Sequence, residues 1–140
     1  MEYTVKLAVG LKNNPDAIPL RETVFQKEQG FTTEFDAIDE NALHLVLYCD
    51  GIPAATGRLY QDETGCHIGR VAVAKSYRGQ HLGALVLEIL EDAARHRHCD
   101  TISLSAQVQA QSFYEKQGYH SLNDLHMDEF CPHVTMVKTV

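Results

Sequence analysis

The stretch VAVAKSYRGQHLGALVLEILE (71–91) joins a strand-like apolar run to a helix, and this junction decides the fold. CHIGRVAVA (66–74) and TISLS (101–105) read as strands on either side of the helix. A strand, a helix and a strand in this order predict a right-handed βαβ crossover with the two strands parallel. The apolar residues of the helix recur at the spacing that predicts one core-facing stripe: Leu82, Leu85, Val86, Ile89, Leu90 and Ala93.

The rest of the chain predicts further strands and two more helices. TVKLAV (4–9) alternates like a strand, DAIPLRETVFQKEQ (16–29) reads as a helix, and FTTEFDAIDENA (31–42) reads as an acidic loop. LHLVLYC and PAATGRLYQ flank Asp50-Gly51, which predicts an antiparallel hairpin. QAQSFYEKQ reads as a helix that ends at Gly118, and HVTMVKTV as a closing strand. The fold class is therefore α/β (α+β), with a mixed central β-sheet of six to seven strands and helices on both faces.

Composition excludes several classes of function. A chain of 140 residues, 44% of them hydrophobic, predicts a single domain over residues 1–140. Its net charge of −7 argues against nucleic acid or an anionic membrane as a partner. We recognise neither a membrane-spanning run nor a signal peptide.

The cysteines and histidines lead to two further expectations, one about the redox state of the thiols and one about metal binding. Cys49, Cys66, Cys99 and Cys131 form no CxxC pair, so we expect reduced thiols in a cytoplasmic protein. The segment HRHC (96–99) does not give a closed set of ligands, and histidines are favoured at the end of a helix by its dipole. We therefore expect no metal site.

The loop YRGQHLG (77–83) has the composition of an anion site. A helix that begins after a glycine-bearing loop directs unpaired N–H groups and the positive end of its dipole at one spot. Arg78 adds a planar guanidinium suited to phosphate oxygens, and Gly79 and Gly83 let a ligand approach the backbone closely. An ordinary strand-to-helix turn has similar glycines, so the loop alone leaves both interpretations open.

Two motifs resemble those of the GNAT superfamily of N-acetyltransferases. Arg78-Gly79-Gln80-His81-Leu82-Gly83 is similar to the acyl-CoA signature Gln/Arg-x-x-Gly-x-Gly/Ala, although His81 stands at the usual central glycine. AQVQAQSFYEKQGY (106–119) is similar to Asn-x-x-Ala-x-x-x-Tyr-x-x-x-Gly-aromatic, with Gln107 in place of the Asn. RETVFQKEQGF, IGRVAV and CPHVTM extend the resemblance over nearly the whole chain, to the small bacterial ElaA-like branch.

The resemblance implies an acyl-CoA site between two parallel strands that splay apart. Acetyl-CoA is the implied co-substrate. Three residues would pair their backbone with its pantetheine arm, much as an added strand would: Val71, Ala72 and Val73. The loop before the helix would hold its pyrophosphate: Arg78, Gly79, Gln80, His81, Leu82 and Gly83. Gln107 and Tyr114, from the second motif, complete the cofactor-binding set.

The resemblance also implies the acid and the base. Tyr114 matches the general acid that protonates the CoA sulfur, a role that suits a phenol; the alternative is a tyrosine that only packs in the core. His133 is the expected general base, and His67, on the same face of its strand as Val71, is the competitor. A purely structural role remains the alternative for each histidine.

Substrate contacts are expected from Arg21, Arg70 and His133. Arg21 and Arg70 match positions that grip a substrate carboxylate in a related branch. A structural ion pair with Glu28 or with an acid of residues 34–40 is the alternative for the arginines, and the acidic loop favours a cationic amine instead.

The implied function is an acetyl-CoA-dependent N-acetyltransferase that acts on the primary amine of a small molecule or of a peptide or protein. The alternative is a non-catalytic acyl-CoA-binding sensor or interaction module. The implied partners are a CoA thioester and an amine acceptor, and a homodimer remains open.

Overall fold

The computed structural model describes residues 2–140. Eight strands lie in this range: β1 (Tyr3–Val9), β2 (Leu43–Cys49), β3 (Ile52–Asp62), β4 (Gly65–Val73), β5 (Thr101–Gln107), β6 (His120–Ser121), β7 (His126–Asp128) and β8 (Cys131–Thr139). The helices are α1 (Ala17–Arg21), a π-helical segment (Glu22–Glu28), α2 (Leu82–His96) and α3 (Gln111–Lys116). Short 3-10 turns lie at Leu11–Asn13, Ala37–Glu40, Lys75–Tyr77 and Val108–Ala110. None of the helices over residues 2–140 is long and apolar enough to cross a membrane.

All eight strands form one mixed sheet, which confirms the predicted fold class. The strand order is β1-β2-β3-β4-β5-β8-β6, and β7 also pairs with β8. The sheet exceeds the predicted six to seven strands because β6 and β7 have two and three residues, too few to show a period. The predicted hairpin joins β2 to β3 through Asp50 and Gly51, whose φ angles of 50° and 81° suit the tight turn between twisted strands.

Both faces of the sheet are covered, as the alternation along β2 requires. Leu45 and Leu47 point to the α2 face and belong to the main core, whereas Val46 points to the other face and packs with Ala17 and Leu20 of α1. A Cβ atom at Gly57 would lie 2.8 Å from Val86 Cγ1, so β3 and α2 approach each other closely there.

The βαβ crossover brings together two cysteines that we expected to be reduced. Cys66, near the start of β4, and Cys99, in the loop before β5, have Cα atoms 6.3 Å apart and form a disulfide. Because β5 starts alongside β4, residues 33 positions apart in sequence meet, and spacing alone could not show this. The expectation of four reduced thiols is therefore wrong for Cys66 and Cys99, while Cys49 and Cys131 are free and buried. The cytoplasmic location loses that support and stays a prediction.

The predicted helix over residues 16–29 changes geometry at its middle. It is α-helical over Ala17–Arg21 and π-helical over Glu22–Glu28. Val24 and Phe25 pack into a second apolar cluster with Phe31 and Ala72. The wider π turn is a local irregularity of the kind often found near functional sites, and its last turn borders the cleft described next.

Candidate active site

A cleft opens where β4 and β5 separate. The two parallel strands pair only at Cys66–Ile102 and His67–Ser103, and they splay apart beyond this point. β4 continues to pair with β3, but the register shifts at Arg70, which has a φ of 52°. Such a bulge turns a side chain out of the regular alternation. The backbone of Val71 and its neighbours is therefore free on the β5 side to pair with an extended ligand.

A groove runs from this cleft to the start of α2. Val71, Ala72 and Val73 line it together with most of the 77–83 loop, whereas Gln80 is exposed and lies outside it. No side chain caps the first turn of α2, so the N–H groups there remain free to bind an anion. The cleft and the groove share Tyr114 and Val71, so one extended molecule could occupy both.

Three residues of the loop, Gly79, His81 and Gly83, are constrained by their backbone conformation or by a close neighbour. Gly79 has a φ of 82° and His81 a φ of 62°, so the histidine at the usual glycine position adopts the left-handed backbone conformation with its side chain exposed. A Cβ atom at Gly83 would lie 3.1 Å from the ring of Phe113, which leaves little room for any larger residue.

Arg78 lies at the rim of the groove. Its Nε donates to the carbonyl of Val73 at 3.0 Å, and its Nη2 lies 2.9 Å from a carboxylate oxygen of Glu28. The side chain is 43% exposed, so it can reach a phosphate, although Glu28 competes for it.

Tyr114 and His133 face the same cleft with unpaired polar atoms. Within residues 2–140 the hydroxyl of Tyr114 has no hydrogen-bond partner, and burial raises the pKa of Tyr114 to about 12. His133 is 5% exposed, and its Nδ1 lies 2.9 Å from the carbonyl of Cys131. A carbonyl only accepts, so Nδ1 carries the proton and Nε2 of the neutral ring is left as an acceptor. The arrangement presents one proton donor and one proton acceptor to the cleft.

Glu34 is a cleft residue that sequence reasoning considered only as a counter-ion. It is 3% exposed, and burial raises the pKa of its carboxyl above the ordinary value, an effect that the neighbouring arginines offset only in part. Its Oε1 accepts from Arg21 Nε at 2.7 Å and lies 3.2 Å from Arg70 Nε. Asp128 contributes a second carboxylate to the cleft. Neither acid lies in a recognised motif; the acidic character of residues 31–42 was the one signal that pointed toward Glu34.

His67 lies outside the cleft and the groove. Its Nδ1 is 2.7 Å from Ser103 Oγ, and its Nε2 is 2.9 Å from Asp62 Oδ1. The ring also stacks on Tyr60 at 4.9 Å. With both nitrogens engaged, His67 ties the β3–β4 hairpin to β5, and the geometry favours the structural alternative over the role of base.

Arg21 and Arg70 belong to an ion cluster of three arginines and three acids: Arg21, Arg58, Arg70, Glu34, Asp36 and Asp39. Arg21 is 1% exposed and does not line the cleft, so it is not placed to bind substrate. Arg70 does line the cleft, but it shares Glu34 and Asp36 with its neighbours. The charges balance, so a substrate carboxylate would have to displace an acid.

Gln107 occupies the position of the family Asn and lines the cleft rather than the groove. Its Nε2 donates to Gln29 Oε1 at 2.8 Å, which connects the end of β5 to the residue that follows the π-helical segment. It therefore lines the same cleft as Tyr114 and His133.

Comparison with known proteins agrees with this geometry. The family model described as "Acetyltransferase (GNAT) domain" matches residues 14–140. YjcF of Bacillus subtilis, an uncharacterised N-acetyltransferase, is 34% identical over 126 residues, which cover 88% of this chain and 90% of YjcF. An acyl-CoA N-acyltransferase structure from Pseudomonas aeruginosa is 28% identical with a TM-score of 0.84, covering 99% of both chains. Escherichia coli ElaA, 22% identical, shares the fold with a TM-score of 0.84 over 98% of this chain and 99% of ElaA. The resemblance predicted from the two motifs is confirmed, and the chain belongs to the GNAT acetyltransferase family.

Proposed function

We propose that the chain is an acetyl-CoA-dependent N-acetyltransferase, with residues 1–140 acting as one domain, that moves the acetyl group directly to a primary amine of a small molecule or of a peptide or protein. The observation that carries the proposal is the pair of unpaired groups, Tyr114 Oη and His133 Nε2, in a cleft that continues into the groove. Backbone groups of residues 71–73 would hold the pantetheine arm. Residues 78–83 at the start of α2 would hold the pyrophosphate.

The chemistry requires one proton to leave the acceptor and one to reach the leaving sulfur. An ammonium group gives a proton to His133 Nε2, and the neutral amine attacks the thioester carbonyl carbon. The C–S bond breaks as Tyr114 donates its proton to the departing thiolate. The nitrogen then loses its second proton, which replaces the one that Tyr114 gave up, and His133 releases its proton to solvent. The products are an amide and free CoA.

The charges of the cleft favour a cationic acceptor. Glu34 and Asp128 present carboxylates there, and the guanidinium of Arg70 is already shared between two acids. Because Glu34 and Arg70 pair with each other, the Asp128 carboxylate is left to attract an amine that is protonated in solution, whereas a substrate carboxylate would find no unshared guanidinium. We therefore propose that the acceptor is recognised through its ammonium group.

The test is release of CoA thiol from acetyl-CoA over a panel of amines, with acetyl-CoA binding followed by thermal shift. Acetyl-CoA should raise the melting temperature because it binds the native state. Thiol release should depend on the added amine. Binding without release for any amine would indicate the alternative, a non-catalytic acyl-CoA-binding module.

The same assay tests the role of Tyr114. Tyr114→Phe keeps the ring and removes the proton donor, and we expect turnover to fall by about 10²-fold or more with little change in CoA binding. The matched control is Tyr48→Phe, which removes a hydroxyl that donates to Asp16 outside the cleft. If Tyr114→Phe turns over as fast as Tyr48→Phe, another group protonates the thiolate.

A further inference from the structure

Strand β1 is a free edge of the sheet with an apolar row along it. The row consists of alternate residues with similar exposure: Tyr3 (43%), Val5 (41%), Leu7 (43%) and Val9 (48%). Val5 and Leu7 lie opposite Leu47 and Leu45 of β2, which pack under α2, so the row is on the α2 face. Four exposed apolar side chains beside a free edge are unusual, because soluble proteins ordinarily protect their edge strands with charges, prolines or bulges.

The backbone of the same residues points outward from the sheet. Glu2 O accepts from Asp50 N at 2.8 Å, and Gly10 N donates to Ala42 O at 3.0 Å, so even-numbered residues form the hydrogen-bonded pairs with β2. In an antiparallel ladder without a register shift, the odd-numbered residues then direct their N–H and C=O groups away from β2. The carbonyl of Val9 is taken by Asn13 Nδ2 at 2.8 Å. The free segment of the edge is therefore Tyr3 to Leu7.

We propose that a second copy of this chain pairs here, β1 antiparallel to β1, around a two-fold axis at Val5. A two-fold axis perpendicular to the sheet places the α2 faces of both copies on the same side of the joined sheet. Odd-numbered residues of one copy can therefore lie opposite only odd-numbered residues of the other. Placing the axis at Val5 pairs Tyr3 with Leu7 of the second copy and uses every free backbone group between them. The two sheets then become one continuous sheet.

The side chains agree with this register. Tyr3 against Leu7 and Val5 against Val5 form apolar cross-strand pairs on the α2 face. On the opposite face Glu2 lies diagonal to Lys6 of the second copy, a favourable pair of charges. Moving the axis to Lys6 would set two lysines against each other and would use Val9, whose carbonyl is occupied. Moving the axis to Thr4 would pair Tyr3 with Val5 of the second copy. The free backbone groups of Leu7 would then no longer pair with Tyr3.

Single cysteines test the register directly. Residues on the axis form a hydrogen-bonded pair with Cα atoms about 5.5 Å apart, which suits a disulfide. Val5→Cys should therefore give a covalent dimer on non-reducing gels after oxidation by diamide. Leu7→Cys should not, because the two positions 7 would lie four residues apart along the ribbon, about 13 Å. Wild type is the background control, because Cys49 and Cys131 are buried. Equal cross-linking of the two variants, or none for Val5→Cys, would overturn the register.

Sedimentation without cross-linking tests the dimer itself. The wild type should sediment as a dimer, and Val5→Lys should shift it to monomer because two lysines meet on the axis. Ala8→Lys is the matched control: it adds the same charge to β1 but places it opposite Glu2 of the second copy, so the dimer should persist. A monomeric wild type, or dimers that resist Val5→Lys, would overturn the proposal. Neither outcome depends on the acetyltransferase activity.

Discussion

Two polar clusters border the same cleft and differ in how completely they are paired. In the ion cluster around Arg21, the carboxylates of Glu34 and Asp39 lie 2.7 and 2.8 Å from guanidinium nitrogens. In the corner formed by Tyr114 and His133, the hydroxyl and Nε2 have no partner within residues 2–140. In the first cluster every carboxylate pairs with an arginine, although Arg58 Nε is buried without a partner within residues 2–140. We call this cluster closed, because its charges are paired, and the corner open.

This difference separates stabilising from reactive groups. Charges removed from water require partners, so the ion cluster holds the 31–42 loop against β3 and the first helix. Groups at the open corner keep their hydrogen-bonding capacity for a ligand. Glu34 belongs to the closed cluster and also lines the cleft, so it is the residue on which the distinction can be tested most sharply.

The largest expected effect is the loss of stability on breaking the closed cluster. Arg21→Ala leaves Glu34 and Asp39 buried without their main partner, and we expect a loss of about 3–5 kcal/mol in the free energy of unfolding. Urea denaturation measures it. The matched control is Arg95→Ala, which removes an exposed pair with Asp92 and should change stability by about 1 kcal/mol or less.

Acid pH probes the same cluster without a substitution. Burial alone would raise the pKa of Asp39, but hydrogen bonds from Arg21, from the Asp36 backbone and from Arg58 hold that pKa at about 2. A depressed pKa contributes stability above the ordinary value near 3.9 that is lost as pH falls toward 2. Arg21→Ala should lose much of this acid dependence. A variant as stable as Arg95→Ala, with the wild-type acid profile, would show that the cluster is not stabilising.

The next largest effect should separate His133 from Glu34 as the base. His133→Gln replaces the imidazole by an amide, which cannot take up a proton near neutral pH, and we expect turnover to fall by about 10²-fold while stability changes little. Glu34→Gln should do the reverse: a loss of about 1–3 kcal/mol in stability, because Arg21 loses a charged partner, with turnover within a few-fold of wild type. Steady-state thiol release and urea denaturation on both variants measure the four quantities. A 10²-fold loss in Glu34→Gln with His133→Gln active would reassign the base to Glu34.

Local periodicity and turn chemistry were sufficient for most of the fold. The stripe of α2 and the two flanking strands predicted the parallel crossover, and Asp50-Gly51 predicted the hairpin; both are present. The short strands β6 and β7 and the π-helical segment depend on tertiary pairing, and no period marks them. The Cys66–Cys99 disulfide escaped prediction for the same reason, since it joins the two ends of the crossover rather than a sequence motif.

The location of a site residue could be predicted where a sequence motif includes that residue. It could not be predicted where the role of the residue depends on its tertiary contacts. Tyr114 and the residues of the 78–83 loop other than Gln80 line the groove or the cleft, and their binding roles stay predictions. From the sequence, Arg21 could either bind substrate or form an ion pair, because the choice depends on whether the acids of the 31–42 loop reach it. Glu34 of that loop does reach Arg21. Both ring nitrogens of His67 are likewise engaged, by Ser103 and Asp62, so neither Arg21 nor His67 points to the cleft.

A smaller effect is expected at Arg78, which is paired but exposed. Arg78→Ala should weaken CoA binding by about tenfold, or about 1.4 kcal/mol, through the lost phosphate contact. Glu28→Gln should strengthen binding slightly because it frees the guanidinium from its carboxylate. Calorimetric titration at several salt concentrations measures both. The difference between Arg78→Ala and wild type should shrink as salt rises. Equal affinities at every salt concentration would contradict phosphate binding by Arg78.

The smallest effect concerns His81, where a histidine adopts a backbone conformation that glycine adopts more easily. His81→Gly removes the steric penalty at φ 62°, so fold stability should be unchanged or higher by up to about 1 kcal/mol.

The His81 ring lies at the groove, and its protonated form would attract phosphate. Wild type should therefore gain a few-fold in CoA affinity over His81→Gly between pH 8 and pH 6, the range in which histidine ordinarily titrates. The matched control is His98→Gly, which relieves a φ of 63° in the turn after α2, away from the groove, and should show the wild-type pH dependence. Parallel pH curves for all three proteins would mean that the His81 ring does not contact the phosphates, and that the loop binds them through its backbone and Arg78 alone.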